Sequence, residues 1–192
     1  LGGFAGGESS PDPRPAFGVA ESILSGDLAG DDAMGGSRAE NSFHVVRTDS
    51  TDATAALDGF TIRGGNSNGP GGYTNRGGGV LCVGSASSTI QNCRFIENRS
   101  FFSGGGGYVN DSSPRFENCS FIENDGGAFG GALHLELGAT IVVDGCHFEG
   151  NEAGRGGALD ISNSKSSTVV NSTFVANRAT GSTGGGAIWI GG

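Results

Sequence analysis

Lysine is all but missing from this chain. Lys165 stands alone, and 192 residues carry a formal net charge of −9. So little positive charge leaves a surface that repels phosphate backbones and anionic membranes, which excludes nucleic acid as a partner. Long apolar runs are missing too: nothing approaches the ~20 residues of a membrane helix, and the opening LGGFAGGESS has neither a basic nor an apolar signal-peptide region. Proline occurs only 5 times and the 39 glycines follow no three-residue period, which excludes collagen. The four cysteines lack the C-x₂-C spacing of zinc sites. The chain starts at Leu1 and stops inside the motif GGAIWI, so it reads as a segment of a longer protein, with signal and anchor elsewhere.

What is present is repetition. Phe95, Phe121, Phe148 and Phe174 recur at intervals of 26, 27 and 26 residues, the kind of period that points to a solenoid. Five residues before each lies an apolar residue (Ile90, Phe116, Val143, Val169), and two before lie Cys93, Cys119, Cys146 and Ser172. Three after each Phe comes Asn98, Asn124, Asn151 or Asn177, and LDGFTI supplies an earlier copy through Leu57, Phe60 and Ile62. A second motif alternates with the first: GGGVLC from Gly77, GGGYVN from Gly105, GGALHL from Gly130, GGALDI from Gly156 and GGAIWI from Gly185. Its apolar–any–apolar triplet has the two-residue period of a strand buried on one face.

A unit of about 26 residues is too short for a βαβ crossover, and neither motif has helical periodicity. One rung of short strands per unit, stacked at about 4.8 Å so that like lies over like, is the solution that remains: an all-β, single-stranded parallel β-helix solenoid. The Phe column then becomes an interior stack. The Asn column becomes an amide ladder at a turn, because Asn tolerates left-handed backbone and bonds its own copy one rung away. The alternation of GGA[IL] with FxxN over residues 57–192 resembles the repeats of chlamydial polymorphic outer-membrane proteins and related bacterial surface proteins. That resemblance implies the right-handed, pectin-lyase-like form of the β-helix, in a secreted or cell-surface protein. Gly107 with Tyr108, and the Gly/Asn insertion from Gly64 to Arg76, depart from the pattern. Residues 1–43 read as irregular leading rungs and loops, with strand character at Ile23 and Leu24 and loops over 8–15 and 26–41. The regular repeats occupy 44–192, beginning with a strand at His44, Val45 and Val46.

The cysteine column reads as buried free thiols packing as small apolar residues, although stacked neighbours lie within disulfide reach; Cys82 belongs to a different column. GGNSNGPGG, from Gly64, lacks the Lys-Ser/Thr of a phosphate loop and reads as a flexible insertion. The informative positions face outward and break the repeat. The middle of the triplet gives Leu81, Val109, His134, Asp160 and Trp189, and two residues further on come Val83, Asp111, Glu136 and Ser162. A patch of His134, Glu136, Asp111 and Asp160 beside Trp189 is therefore expected on one solvated face. Weak catalytic candidates are His134, Glu136 and Asp160, since carboxylates about 5 Å apart serve retaining glycosidases. Asp111, Glu136 and Asp160 are candidate oxygen ligands for calcium, with no other cofactor expected. Trp189, His134, Asp160 and Glu136 are candidates for binding a polysaccharide or a host or cell-surface glycan. The leading reading is a non-catalytic stalk, adhesin or glycan-contacting module. The alternative is a polysaccharide lyase or glycoside hydrolase using the acidic patch, and against it the sequence offers no basic residue evidently poised over the carboxylates.

Overall fold

The computed structural model describes residues 21–164, 166–182 and 184–191. Every paired strand in this span is parallel, and the strands stack into three long sheets. Sheet A carries the Phe motif: Ser22–Ser25, Phe60–Arg63, Arg94–Ile96, Ser120–Ile122, His147–Glu149 and Thr173–Val175. Sheet B carries the triplet motif: Val46–Asp49, Val80–Val83, Gly107–Asn110, Leu133–Glu136, Leu159–Ser162 and Ile188–Gly191. Sheet C holds Ala56–Asp58, Thr89–Gln91, Arg115–Glu117, Val142–Asp144 and Thr168–Val170. The chain runs from B to C to A and back to B one rung higher. Among the described residues, helix is confined to two single 3₁₀ turns, Asp32–Met34 and Gly72–Asn75.

The columns expected from the repeat are in place. Phe95, Phe121, Phe148 and Phe174 stack face to face, with successive centroids 4.7, 4.9 and 4.6 Å apart. Leu57, Ile90, Phe116, Val143 and Val169 line up in sheet C. Cys93, Cys119 and Cys146 are buried free thiols, and so is Cys82. Burial pushes the Cys82 thiol up to about 11 and raises Cys119 well above the ordinary thiol range. Those two are inert packing groups, whereas the hydrogen bond with Cys119 holds the Cys93 and Cys146 thiols below the ordinary range.

The corners between sheets rely on residues in left-handed backbone. Between C and A such a residue is Asn92, Asn118, Gly145 or Asn171, with φ between 51° and 64°. Asn and Gly are the residues that tolerate that conformation most readily. At the end of sheet A the left-handed residue is Glu97, Glu123, Gly150 or Ala176, one position before the ladder asparagines. The amide ladder is therefore not itself left-handed, as its sequence had suggested. The preceding residue absorbs the turn so that the Asn side chain can point inward. Glycine is obligatory where B begins, because backbones of adjacent rungs nearly touch: a Cβ on Gly131 would lie 2.1 Å from the Gly157 carbonyl oxygen.

At the lower end, Ser22–Ser25 is already a full strand of sheet A, with Leu24 opposite Ile62. The next strand starts at Val46 rather than His44 and runs to Asp49. The 8–15 loop reading falls outside the described residues. The insertion from Gly64 is tied down: Asn66–Ser67 pairs with Arg99–Ser100, and the 3₁₀ turn that follows lays Tyr73 within reach of Asn110.

Candidate functional site

The outward face of sheet B holds the residues singled out from the sequence, in a different register. Tyr108, not Val109, pairs with Leu81 below and His134 above, so the column runs Leu81, Tyr108, His134, Asp160, Trp189. Val109 lies in the core, and the slot opposite Glu136 is filled by Asn110 rather than Asp111. Asp111 sits beyond the strand, exposed, at φ 44°. The slip comes from the four glycines 104–107. Starting the motif at Gly104 keeps the 26–27-residue period; starting it at Gly105 shifts it by one, and a one-residue shift turns every side chain to the other face. Gly107 occupies the first inward slot, and the side chains of Val80 and Leu133 fill the space its missing Cβ leaves.

This face is roofed rather than solvated. The residues preceding the glycine pairs, Arg76, Ser103, Phe129 and Arg155, form their own ladder of bridges beside sheet B, and the side chains of Arg76, Phe129 and Arg155 fold back over it. Tyr108 and Asp160 are 0% exposed and His134 is 3% exposed. Arg76 lies over the rings of Phe102 and Tyr108, at 4.8 and 5.1 Å. Its guanidinium donates to the Tyr108 hydroxyl (2.7 Å) and to Glu136 Oε2 (2.8 Å), and the same hydroxyl donates to Glu136 (2.7 Å). Burial and the Glu136 hydrogen bond push the Tyr108 phenol up to about 12.

A second arginine repeats this three rungs above. Arg155 Nε donates to Asp160 Oδ2 (2.6 Å) and its Nη2 to Ser162 Oγ (2.9 Å). The guanidinium is held between Phe129 (4.6 Å) and Trp189 (3.5 Å), each facing the cation with a ring. Trp189 is half-buried, its indole folded onto Gly191, where any Cβ would lie 2.4 Å from the ring. A carboxylate buried as completely as Asp160 needs such a partner, since removing it would strand an uncompensated charge. The sequence signal for both arginines was the RGG at Arg76 and Arg155, which a reading of the strands alone passed over.

His134 lies between the rings of Phe129 and Tyr108, at 5.4 and 5.5 Å. Its Nδ1 has no hydrogen-bond partner, and Nε2 stands 3.7 Å from Asp160 Oδ1. Burial outweighs the attraction of Asp160 and lowers its pKa to about 4, so the ring is neutral at pH 7 and this contact is no ion pair. The unfolded chain takes up that proton near pH 6.5, the folded chain only near 4. The resulting stability is fully present above pH 6.5 and is lost as pH falls towards 4. Urea midpoints should therefore report a loss of about 2 kcal/mol between pH 7.5 and pH 5, most of which disappears in His134→Gln. His44, also lowered by burial, supplies the remaining slope.

The sequence had gathered Asp111, Glu136 and Asp160 as calcium ligands. The fold separates the first from the others and gives each of the others an arginine. Among the described residues, the acidic side chains that do converge are Asp27, Asp31, Asp32 and Glu40, at the lower end of the coil.

Parallel rungs, a stacked interior and loops that fold onto one sheet define a β-helix. The model for right-handed β-helix regions matches residues 36–190, and the chain belongs to that family. No curated protein and no solved structure matches it. Among the described residues no helix is long and apolar enough to cross a membrane.

Proposed function

We propose that the chain is a non-catalytic module of a secreted or cell-surface protein, and that it contacts saccharide along the strip where Trp189, Arg155, Glu136 and Arg76 come to the edge of sheet B. Burial carries the non-catalytic half of this reading. A general acid or base must come within hydrogen-bond reach of the proton it moves, yet Asp160 and His134 lie beneath Phe129 and Arg155 and are 0% and 3% exposed. Glu136 is 27% exposed but spends one oxygen on both Arg76 and Tyr108. The saccharide half draws support from the half-buried Trp189 ring beside forked guanidinium donors, the mixture of apolar area and placed polar groups that sugar sites use. The likeness of the repeats to those of bacterial surface proteins supports the extracellular setting.

One observation favours the alternative, a polysaccharide lyase or glycoside hydrolase. A basic residue absent from the sequence reading does stand against a carboxylate here, Arg76 at 2.8 Å from Glu136. Incubation with a panel of acidic and neutral polysaccharides separates the two. The binding module should release neither unsaturated products nor new reducing ends, and should be retarded in gels containing its glycan. Trp189→Ala should weaken that retardation about tenfold, corresponding to about 1.4 kcal/mol of lost stacking. Turnover that Glu136→Gln abolishes would replace this reading with the enzymatic one.

A further inference from the structure

The loop between the first strand of sheet A and the first strand of sheet B carries Asp27, Asp31, Asp32 and Glu40. Each of the four brings one carboxylate oxygen within 4.8 Å of the others. Acidic residues often cluster on a surface without consequence, but here the unused oxygens are buried. Asp31 Oδ1, Asp32 Oδ1, Glu40 Oε1 and Asn41 Oδ1 are all shielded from solvent and meet no donor. The Asp32 side chain is only 5% exposed and Asn41 4%. Every one of these atoms is an acceptor, so they cannot satisfy one another. Leaving several buried acceptors empty costs far more than a folded chain normally tolerates.

The protein's own cations do not meet the need. Arg38 Nε stands 3.8 Å from Asp32 Oδ2, the oxygen already bonded by the Asn41 amide at 2.8 Å, and the Arg38 guanidinium also donates to the Glu97 carbonyl. Asp27 is the anchor of the loop, accepting from the backbone N–H groups of Gly30, Asp31 and Asp32. The oxygens left over come from three further carboxyl groups and one amide.

From this the geometry points to a calcium site in the loop from Asp27 to Asn41, with Asp31, Asp32 and Glu40 as carboxylate ligands and Asn41 Oδ1 as a neutral one. Only oxygens are offered, several of them charged, from an irregular loop, which suits the larger and geometrically tolerant dication. Magnesium prefers one or two carboxylates and keeps its water. The ion would clamp the loop across the lower end of the coil, where Gly26 bonds Arg63, Ser42 bonds Gly26 and Asn66 bonds Ser42. It is separate from the roofed face of sheet B and does not depend on what that face binds.

The test uses the full chain stripped with chelator and then titrated with CaCl₂ by calorimetry, with thermal unfolding followed in parallel. One calcium should bind per chain, and at about a hundredfold excess over Kd the melting temperature should rise by about 5–10 °C. The pair D31N/E40Q removes two of the three ligand charges and relieves carboxylate repulsion, so it should fold without calcium and lose both the heat and the shift; Asp111→Asn should keep both. A stripped wild-type chain that shows neither heat nor shift overturns the site. So does a D31N/E40Q chain that binds as wild type does, and a response to magnesium equal to that to calcium overturns the choice of ion.

Discussion

Phe121→Ala should cost about 3–5 kcal/mol of folding stability, read as a drop in urea midpoint at unchanged slope. Phe121 is 0% exposed and lies in the middle of the interior stack. It is parallel to Phe95 and Phe148 within 6° and 3°, and Phe116 meets it edge-on at 5.7 Å. The rungs above and below are held at strand spacing by their own backbone hydrogen bonds, so the void cannot close by collapse, and incomplete collapse is what makes large-to-small changes expensive. Phe174, in the same column but half-buried, should lose less when truncated. A loss below about 1 kcal/mol at Phe121 would be incompatible with an interior stack.

Asn124→Ala should be comparably damaging, at about 3–6 kcal/mol, although it removes a polar group. Asn124 is 1% exposed and uses its whole amide. Its Oδ1 accepts from both the backbone N–H and the side-chain amide of Asn98, each at 3.1 Å. Its Nδ2 donates to the Phe95 carbonyl and to Asn151 Oδ1, both at 2.9 Å. Alanine strands several buried partners at once, each worth about 1–3 kcal/mol when left unpaired. Asn124→Asp, nearly identical in shape, should be worse still, because it replaces the donor with a charged oxygen facing a carbonyl, and the ladder contains no cation. Asn177, partly buried at the upper end, is the internal control: its substitution should cost less. Amide exchange at Asn98 should accelerate in Asn124→Ala and stay slow in the Asn177 variant; equal protection in both would show that the ladder is not a cooperative unit.

The interior columns were legible in the sequence because a solenoid superimposes each residue on its copy one rung away, so packing constraints become spacing. Phe at 26 or 27 residues, Cys or Ser two before it and Asn three after it were enough to place sheets A and C and the ladder. The register of sheet B failed at one rung, where four consecutive glycines hid the start of the motif, and there the period was a better guide than the motif's own letters. Asp111 and Val109 were misplaced together by that single step.

The chemistry of the outward face was legible only as a roll of residues. His134, Glu136, Asp160 and Trp189 do share that face, as their strand positions require, because side chains alternate along a strand whatever surrounds it. Whether they meet water was decided by Arg76, Phe129 and Arg155, which belong to the turns before the glycine pairs and reach the sheet only after the chain has coiled. The gathering of Asp27, Asp31, Asp32 and Glu40 with Asn41 is of the same kind: their sequence separation carries no period, and only the path of the loop brings their oxygens together. By itself the sequence determined the coil, its rung length and its core, because those repeat. Burial, charge pairing and the gathering of the loop's carboxylates were decided by tertiary structure alone, because each depends on loops that do not repeat lying against strands that do.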